Sequence, residues 1–211
     1  MGIEGRDCFI VSDRRASGAA ADSIDNEWAR VVVATSKPGP KGVLHKHVDN
    51  RVMVYLDKGM QRLEFVDGSK KDISFAAGEA KWDQKGDLHT SENLGGTVFR
   101  VVEIELKKSG GRIAWPAQDP AKVAPDSYKV EFENDQVRVL RVRFKGGQKI
   151  ALHEHAVPRI AVPLTDIDLQ LDGGPKRFRA RPGEATFLKP AIHAEKNLLA
   201  DPTELILVDL K

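Results

Sequence analysis

The chain has 211 residues and a nearly balanced charge, 33 lysines and arginines against 31 aspartates and glutamates. It has no basic run interleaved with aromatics, which points away from nucleic acid. Its longest apolar stretches, such as ELILVDL at 204–210, are far too short to span a bilayer. The single cysteine, Cys8, excludes an internal disulfide and a thiolate zinc site. What is left is a soluble globular protein of one large domain or two small ones.

In chain order, the first six residues, MGIEGR, contain IEGR, which looks like the recognition sequence of a processing protease and reads as a cloning scar. Residues 12–25 are small and polar, so the stretch 1–25 is set aside as scar plus flexible leader. The compartment is therefore open: cytoplasmic by default, secreted or periplasmic where the natural N-terminus has been trimmed. Residues 26–108 form a first body. Its last segment, TVFRVVEIELK, alternates so that Val98, Val102, Ile104 and Leu106 share a face. Residues 109–127, rich in glycine and proline, read as an ordered linker, with Trp115 pinning it to one domain. Residues 128–211 form a second body. There VRVLRVRFK sets Leu140, Val142 and Phe144 against Arg141, Arg143 and Lys145, the period of a half-buried strand. Turn signals recur throughout (KPGPKG, AAGE, NLGG, DGGP, RPGE), and no segment carries a long helical period. The expected class is all-β, two sandwiches or barrels in tandem.

The two bodies repeat one another. Arg30 matches Arg138, His45 matches His153, His47 matches His155 and Arg51 matches Arg159, all at an offset of 108 residues. GEA at 78–80 recurs at 183–185, HTSEN at 89–93 recurs as HAEKN at 193–197, and the last strands keep the later offset of 104. This is duplication of a whole domain.

The six histidines, His45, His47, His89, His153, His155 and His193, all fall on matched positions, three per half. Residues i and i+2 of a strand face the same side, so each H-x-H pair converges, and the third histidine comes from another strand. Three neutral imidazoles suit iron, zinc, nickel, copper or manganese, with positions left for water or substrate.

At these residues the chain resembles the cupin superfamily. Gly39, His45 and His47, and again Gly147, His153 and His155, match the family's first motif. Gly78, Gly86, His89 and Asn93 match the second, as do Gly183, His193 and Asn197 with one residue deleted. The resemblance covers nearly the whole chain as two tandem cupin domains, a bicupin. It implies a jelly-roll β-barrel in each half with a metal inside, and an assembly that often dimerises through an edge strand, here a homodimer. It departs from the family where a glutamate usually serves as fourth ligand: Arg51 and Arg159 stand there in both halves. Arginine cannot ligate a metal and keeps its charge. Three-histidine cupins lacking that carboxylate include dioxygenases, which implies a metal-dependent oxidoreductase.

On this reading Arg51 or Arg159 holds a substrate carboxylate, phosphate or enolate beside the metal. The competing reading is an internal ion pair, for which Glu79 and Glu184 are matched candidates. Tyr55, pointing inward with Met53, is a candidate proton donor or a core side chain; Ala161 and Pro163 hold the matching places. Trp82 and Phe187 match each other and are expected to pack a barrel, and Asp49 is a weak further ligand. The expected function is a metal-dependent enzyme, dioxygenase-like, acting on a small anionic or chelating organic molecule. The alternatives are an isomerase or lyase, and a non-catalytic barrel binding a small carboxylate or phosphate.

Overall fold

The computed structural model describes residues 24–211. The expected cloning scar and most of the expected leader lie outside them. Ile24 and Asp25, assigned to the leader, are within: Ile24 packs on the core and its carbonyl accepts a hydrogen bond from Val31.

The first half contributes β1 (Ala29–Ser36), β2 (Arg51–Tyr55), β3 (Gly59–Phe65), β4 (Lys70–Phe75), β5 (Ala80–Asp83), β6 (His89–Asn93) and β7 (Phe99–Leu106). They form two antiparallel sheets, ordered β1-β7-β2-β5 and β4-β3-β6. A four-residue helix, α1 (Pro120–Val123), lies in the connection. The second half contributes β8 (Tyr128–Glu133), β9 (Val137–Phe144), β10 (Lys149–His155), β11 (Arg159–Pro163), β12 (Ile167–Leu171), β13 (Arg177–Ala180), β14 (Thr186–Leu188), β15 (Ala191–Asn197) and β16 (Thr203–Leu210). Its sheets are ordered β14-β11-β16-β9-β8 and β10-β15-β12-β13. Seven strands of each half thus correspond in order and pairing. The repeat match of strand β8 falls at residues 20–25, mostly outside the described residues, and its last position is kept as the Asp25–Arg30 bridge, matching Glu133–Arg138. One difference stands out. The counterpart of β10, at residues 41–47, shrinks to one bridge, His45 to His89, matching the His153–His193 pair.

The central strands β2, β9, β11 and β16 are buried on both faces, because the halves pack against each other. Ala29, Val31, Val52, Val54, Val102, Ile104 and Leu106 join Val137, Val139, Ile160, Val162, Ile206, Val208 and Leu210 in one buried cluster. These are seven repeat-matched pairs, so the shared core has a pseudo-twofold character. The alternate residues point into the barrels: Met53, Tyr55, Phe75, Phe99 and Val101 in the first, and Leu140, Val142, Phe144, Ala161, Leu205 and Leu207 among others in the second. The face expected from Val102, Ile104 and Leu106 is therefore the one between the halves, and Val98 lies exposed outside it. Trp82 and Phe187 also pack against this shared cluster, so they serve the junction between barrels instead of a barrel interior.

The matched glycines of the second motif show how close the junction is. Gly78 and Gly183 have φ of +77° and +85°, a region that L side chains avoid. A Cβ at Gly183 would lie 2.7 Å from Leu56 Cδ1, and one at Gly78 would lie 3.1 Å from Leu164 Cδ1. Leu56 and Leu164 are themselves repeat-matched, so each half inserts a leucine against the other's glycine turn. Asn93 and Asn197 perform matched work, each donating from Nδ2 to two backbone carbonyls while its Oδ1 accepts a backbone N–H.

Trp115 pins the connection to the second half. Its indole N–H donates to Glu133, and the Arg138 guanidinium lies 3.4 Å over its ring. Asp119 caps α1 and accepts from Arg138 at 2.7 Å.

Candidate metal centre and cavity

In the second half, β10 presents His153 and His155 on one face, and β15 places His193 directly across from His153. All three are buried, with ring centroids 4.8 to 5.3 Å apart. Nδ1 of His153 lies 2.9 Å from the Ala151 carbonyl. A carbonyl only accepts, so Nδ1 carries the proton and Nε2 keeps a bare lone pair. That Nε2 is 3.2 Å from His155 Nε2. Burial pulls all three imidazoles below their ordinary value, His193 to about 4, with Arg159 and the neighbouring histidines adding to the effect on His155 and His193. Neutral imidazoles with ring nitrogens within 4.8 Å of one another are what a divalent transition metal requires, so the residues present fit one.

The first half repeats the triad more openly. His89 is buried while His45 and His47 are half-buried, with centroids 4.7 to 5.6 Å apart. His45 Nδ1 donates to Val43 at 2.7 Å and His89 Nδ1 to Asp87 at 2.9 Å, the same bond to the carbonyl two residues back. In both halves the three potential ligand atoms lie within 4.8 Å of one another. Asp49 falls outside both groups. A further group of the same span joins His47 to Glu103 and Glu105, and contact with His47 holds the Glu105 carboxyl below its usual range.

The two arginines diverge. Arg51 donates to Asp83 and, at 2.5 Å, to Glu103. The internal ion pair expected for it exists, but with these partners and not Glu79, which caps the Ala76 turn and reaches Lys81. Arg159, 3% exposed, has no carboxylate bonded to it. Its one hydrogen bond runs from Nη1 to the Lys189 carbonyl at 2.7 Å, and its Nε is buried without a partner. Glu184 instead caps Arg181. The cause is a pair of exchanges between the repeats. Asp83 sits opposite Arg51, whereas Leu188 sits opposite Arg159. Glu103 sits opposite Met53, whereas Leu207 sits opposite Ala161.

Tyr55 is buried and stacks on Phe75 at 3.8 Å, and burial pushes its phenol upward so that it holds its proton. The tyrosine beside a histidine cluster is Tyr128 of β8. Its hydroxyl lies 3.4 Å from His153 Nε2 and donates to Glu195. Glu195 Oε1 is itself 3.4 Å from His153 Nε2. Burial raises the Glu195 carboxyl to about 7, against the lowering effects of Tyr128 and Arg159. Sequence reasoning missed both. Glu195 was legible, because it is two residues after His193 on the same strand. Tyr128 had no such signal, since the repeat-matched position, 20, is an alanine.

His155, Arg159, His193, Tyr128 and Glu195 line a cavity of about 290 Å3 inside the second barrel. The rest of its wall is mainly apolar, including Leu169, Phe178, Leu188, Leu205 and Leu207, and it reaches solvent past the exposed Lys176 and Lys189.

This is the cupin fold, in two tandem jelly-roll barrels. Its likeness to solved structures is broad. AerE from Microcystis aeruginosa matches over 90% of each chain with a TM-score of 0.65 and 12% identity. A Cupin 2 conserved barrel domain protein from Leptotrichia buccalis matches over 92% of each, with a TM-score of 0.54 and 13% identity. Oxalate decarboxylase from Bacillus subtilis, described with Mn(II) centres, matches over 88% of this chain and 69% of its own, with a TM-score of 0.61 and 12% identity. No family model and no curated protein matches the sequence. Among the described residues no helix is long and apolar enough to cross a membrane.

Proposed function

We propose that this protein is a metal-dependent enzyme in which histidine triads hold a divalent transition metal and the second barrel receives a small anionic or chelating organic substrate. The observation that carries this reading is the convergence of His153, His155 and His193. His155 and His193 line the cavity and His153 packs behind them, its bare Nε2 3.2 Å from His155 Nε2, a contact that a proton or a cation between the two nitrogens makes favourable. When bound, the metal supplies Lewis acidity to a chelated substrate, or electrons to dioxygen if it is iron. Arg159 neutralises the substrate's charge. The apolar wall excludes water and so strengthens that attraction. Iron, zinc, nickel, copper and manganese are all compatible with the donor set.

The first reading of the reaction is dioxygenase-like and rests on the resemblance to three-histidine cupins. A second reading, isomerase or lyase, is favoured by the Tyr128–Glu195 hydrogen bond next to His153, because that pair can hold and return a proton without any change of oxidation state. Arg51, the match of Arg159, is occupied by ion pairing and Tyr55 by stacking, so the reaction is assigned to the second barrel.

The test is elemental analysis of the full chain and of His45→Ala and His153→Ala. About two metals per chain, each variant losing one, supports two live centres. A loss only in His153→Ala names the second barrel alone. No metal after incubation with iron, zinc, nickel and manganese would overturn the proposal.

A further inference from the structure

The repeat supplies its own control for what the second cavity binds. In the first barrel Arg51, which opens the strand after the H-x-H segment, is neutralised by Asp83 and Glu103. In the second, leucines stand at both places, and Leu188 and Leu207 line the cavity beside Arg159. The nearby carboxylates are committed elsewhere. Asp209 accepts from Arg138, which Asp119 also holds, and Glu195 accepts from Tyr128. A guanidinium buried with one hydrogen bond and no carboxylate bonded to it, attracted to Asp209 and Glu195 only through space, is costly to keep. A bound anion removes that cost, and the exposed Lys176 and Lys189 at the mouth favour anions on approach. The apolar remainder of the wall is ill suited to a small inorganic ion, which would leave leucine and phenylalanine facing water. One buried cation suits one negative charge.

We propose that the second barrel binds a monoanionic organic acid with an apolar body, its carboxylate on Arg159 and its body against Phe178, Leu188, Leu205 and Leu207. The volume, about 290 Å3, lies at the small end of ligand pockets, about 300–1,000 Å3. It admits a single ring or a short branched chain. This deepens the enzyme reading, which it takes as the reason for a histidine triad in the same wall.

The test is calorimetric titration of the full chain, zinc-loaded and metal-free, with 3-phenylpropanoate, its neutral amide, acetate and inorganic phosphate. Phenylpropanoate is expected to bind about thirty-fold more tightly than the amide, the scale of one charge-assisted contact. It should also bind more tightly than acetate or phosphate. Arg159→Gln should bring the acid down to the amide, while Phe178→Ala should weaken phenylpropanoate and leave acetate unchanged. Leu207→Glu, which installs the first barrel's carboxylate, should mimic Arg159→Gln. Equal binding of acid and amide, or phosphate binding more tightly than phenylpropanoate, would overturn the inference. If Arg159→Gln does not fold, the parent's acid-over-amide ratio and Phe178→Ala decide. Zinc content separates the two readings: metal bound with no acid preference sinks only this inference, whereas acid preference with no metal bound sinks only the enzyme.

Discussion

Ile206→Ala tests whether the two barrels are one folding unit. Ile206 is fully buried in β16 and belongs to the cluster shared by both halves. Truncating it removes buried carbons and leaves a cavity that flanking strands can only partly close, a loss of about 2–5 kcal/mol. For a chain of this size each kcal/mol lowers Tm by about 2–4 °C, so a mid-range loss moves the transition by roughly 10 °C. The neighbours Leu205 and Leu207 face the other way, into the cavity, so the same change should loosen the ligand site without touching its lining. Urea unfolding read by tryptophan fluorescence is the assay, because Trp28 and Trp82 pack on the shared cluster while Trp115 sits on the second barrel. One transition, shifted equally for all reporters, is expected. Ile192→Ala, at a residue 57% exposed, should stay within about 0.5 kcal/mol of the parent. Two separated transitions, with only the Trp115 signal moving, would refute the shared core.

The two arginines should respond in opposite directions when replaced by methionine. Arg51→Met leaves Glu103 and Asp83 without their counter-charge and should lose about 1–3 kcal/mol, discounted because Asp83 is 34% exposed. Arg159→Met removes a buried charge with no carboxylate hydrogen-bonded to it and should leave the ligand-free protein as stable or up to about 2 kcal/mol more so; thermal denaturation of both would show the reverse order if the through-space attraction to Asp209 and Glu195 outweighs the cost of burial. Acid should release metal late from the second triad. Protons compete with metal for imidazole nitrogen, and burial holds His193 at about 4 and depresses His153 and His155 as well. Zinc should therefore stay bound below the ordinary imidazole value of about 6.5 as pH falls and be lost approaching the depressed values. Equilibrium dialysis of His45→Ala, which isolates the second triad, checks this, and half-release at pH 6.5 or above would contradict it.

The tandem all-β architecture was legible because period-two alternation, turn residues and the matched offsets all agreed. The histidine triads were legible because H-x-H on a strand has one geometric outcome, convergence. What the sequence misled on was direction. In VVEIELK the apolar residues suggest an inward face and the glutamates a solvated one. The reverse holds, because the apolar face of β7 covers the other half and Glu103 and Glu105 look into the barrel. A strand buried on both faces does not announce which side is the interior. The same inversion hid the partners of Arg51: Glu79 matched by repeat, but Asp83 and Glu103 match by register.

Duplication makes the difference between the halves the informative quantity. Both retain three histidines and an arginine, and Arg30–Glu105 recurs as Arg138–Asp209. Against that constancy one set of differences surrounds the arginine at positions 51 and 159. In the first barrel carboxylates from β5 and β7 close on it. In the second, leucines from β14 and β16 expose it to an apolar cavity, and β8 brings Tyr128 to Glu195 and His153. Loss of function in one copy would leave the arginine's partners to drift singly. Leucines in place of both carboxylates beside a buried guanidinium cost stability in the ligand-free state, which a charge with work outside the fold offsets. The first barrel then keeps its arginine as structure, and the second keeps it for a ligand.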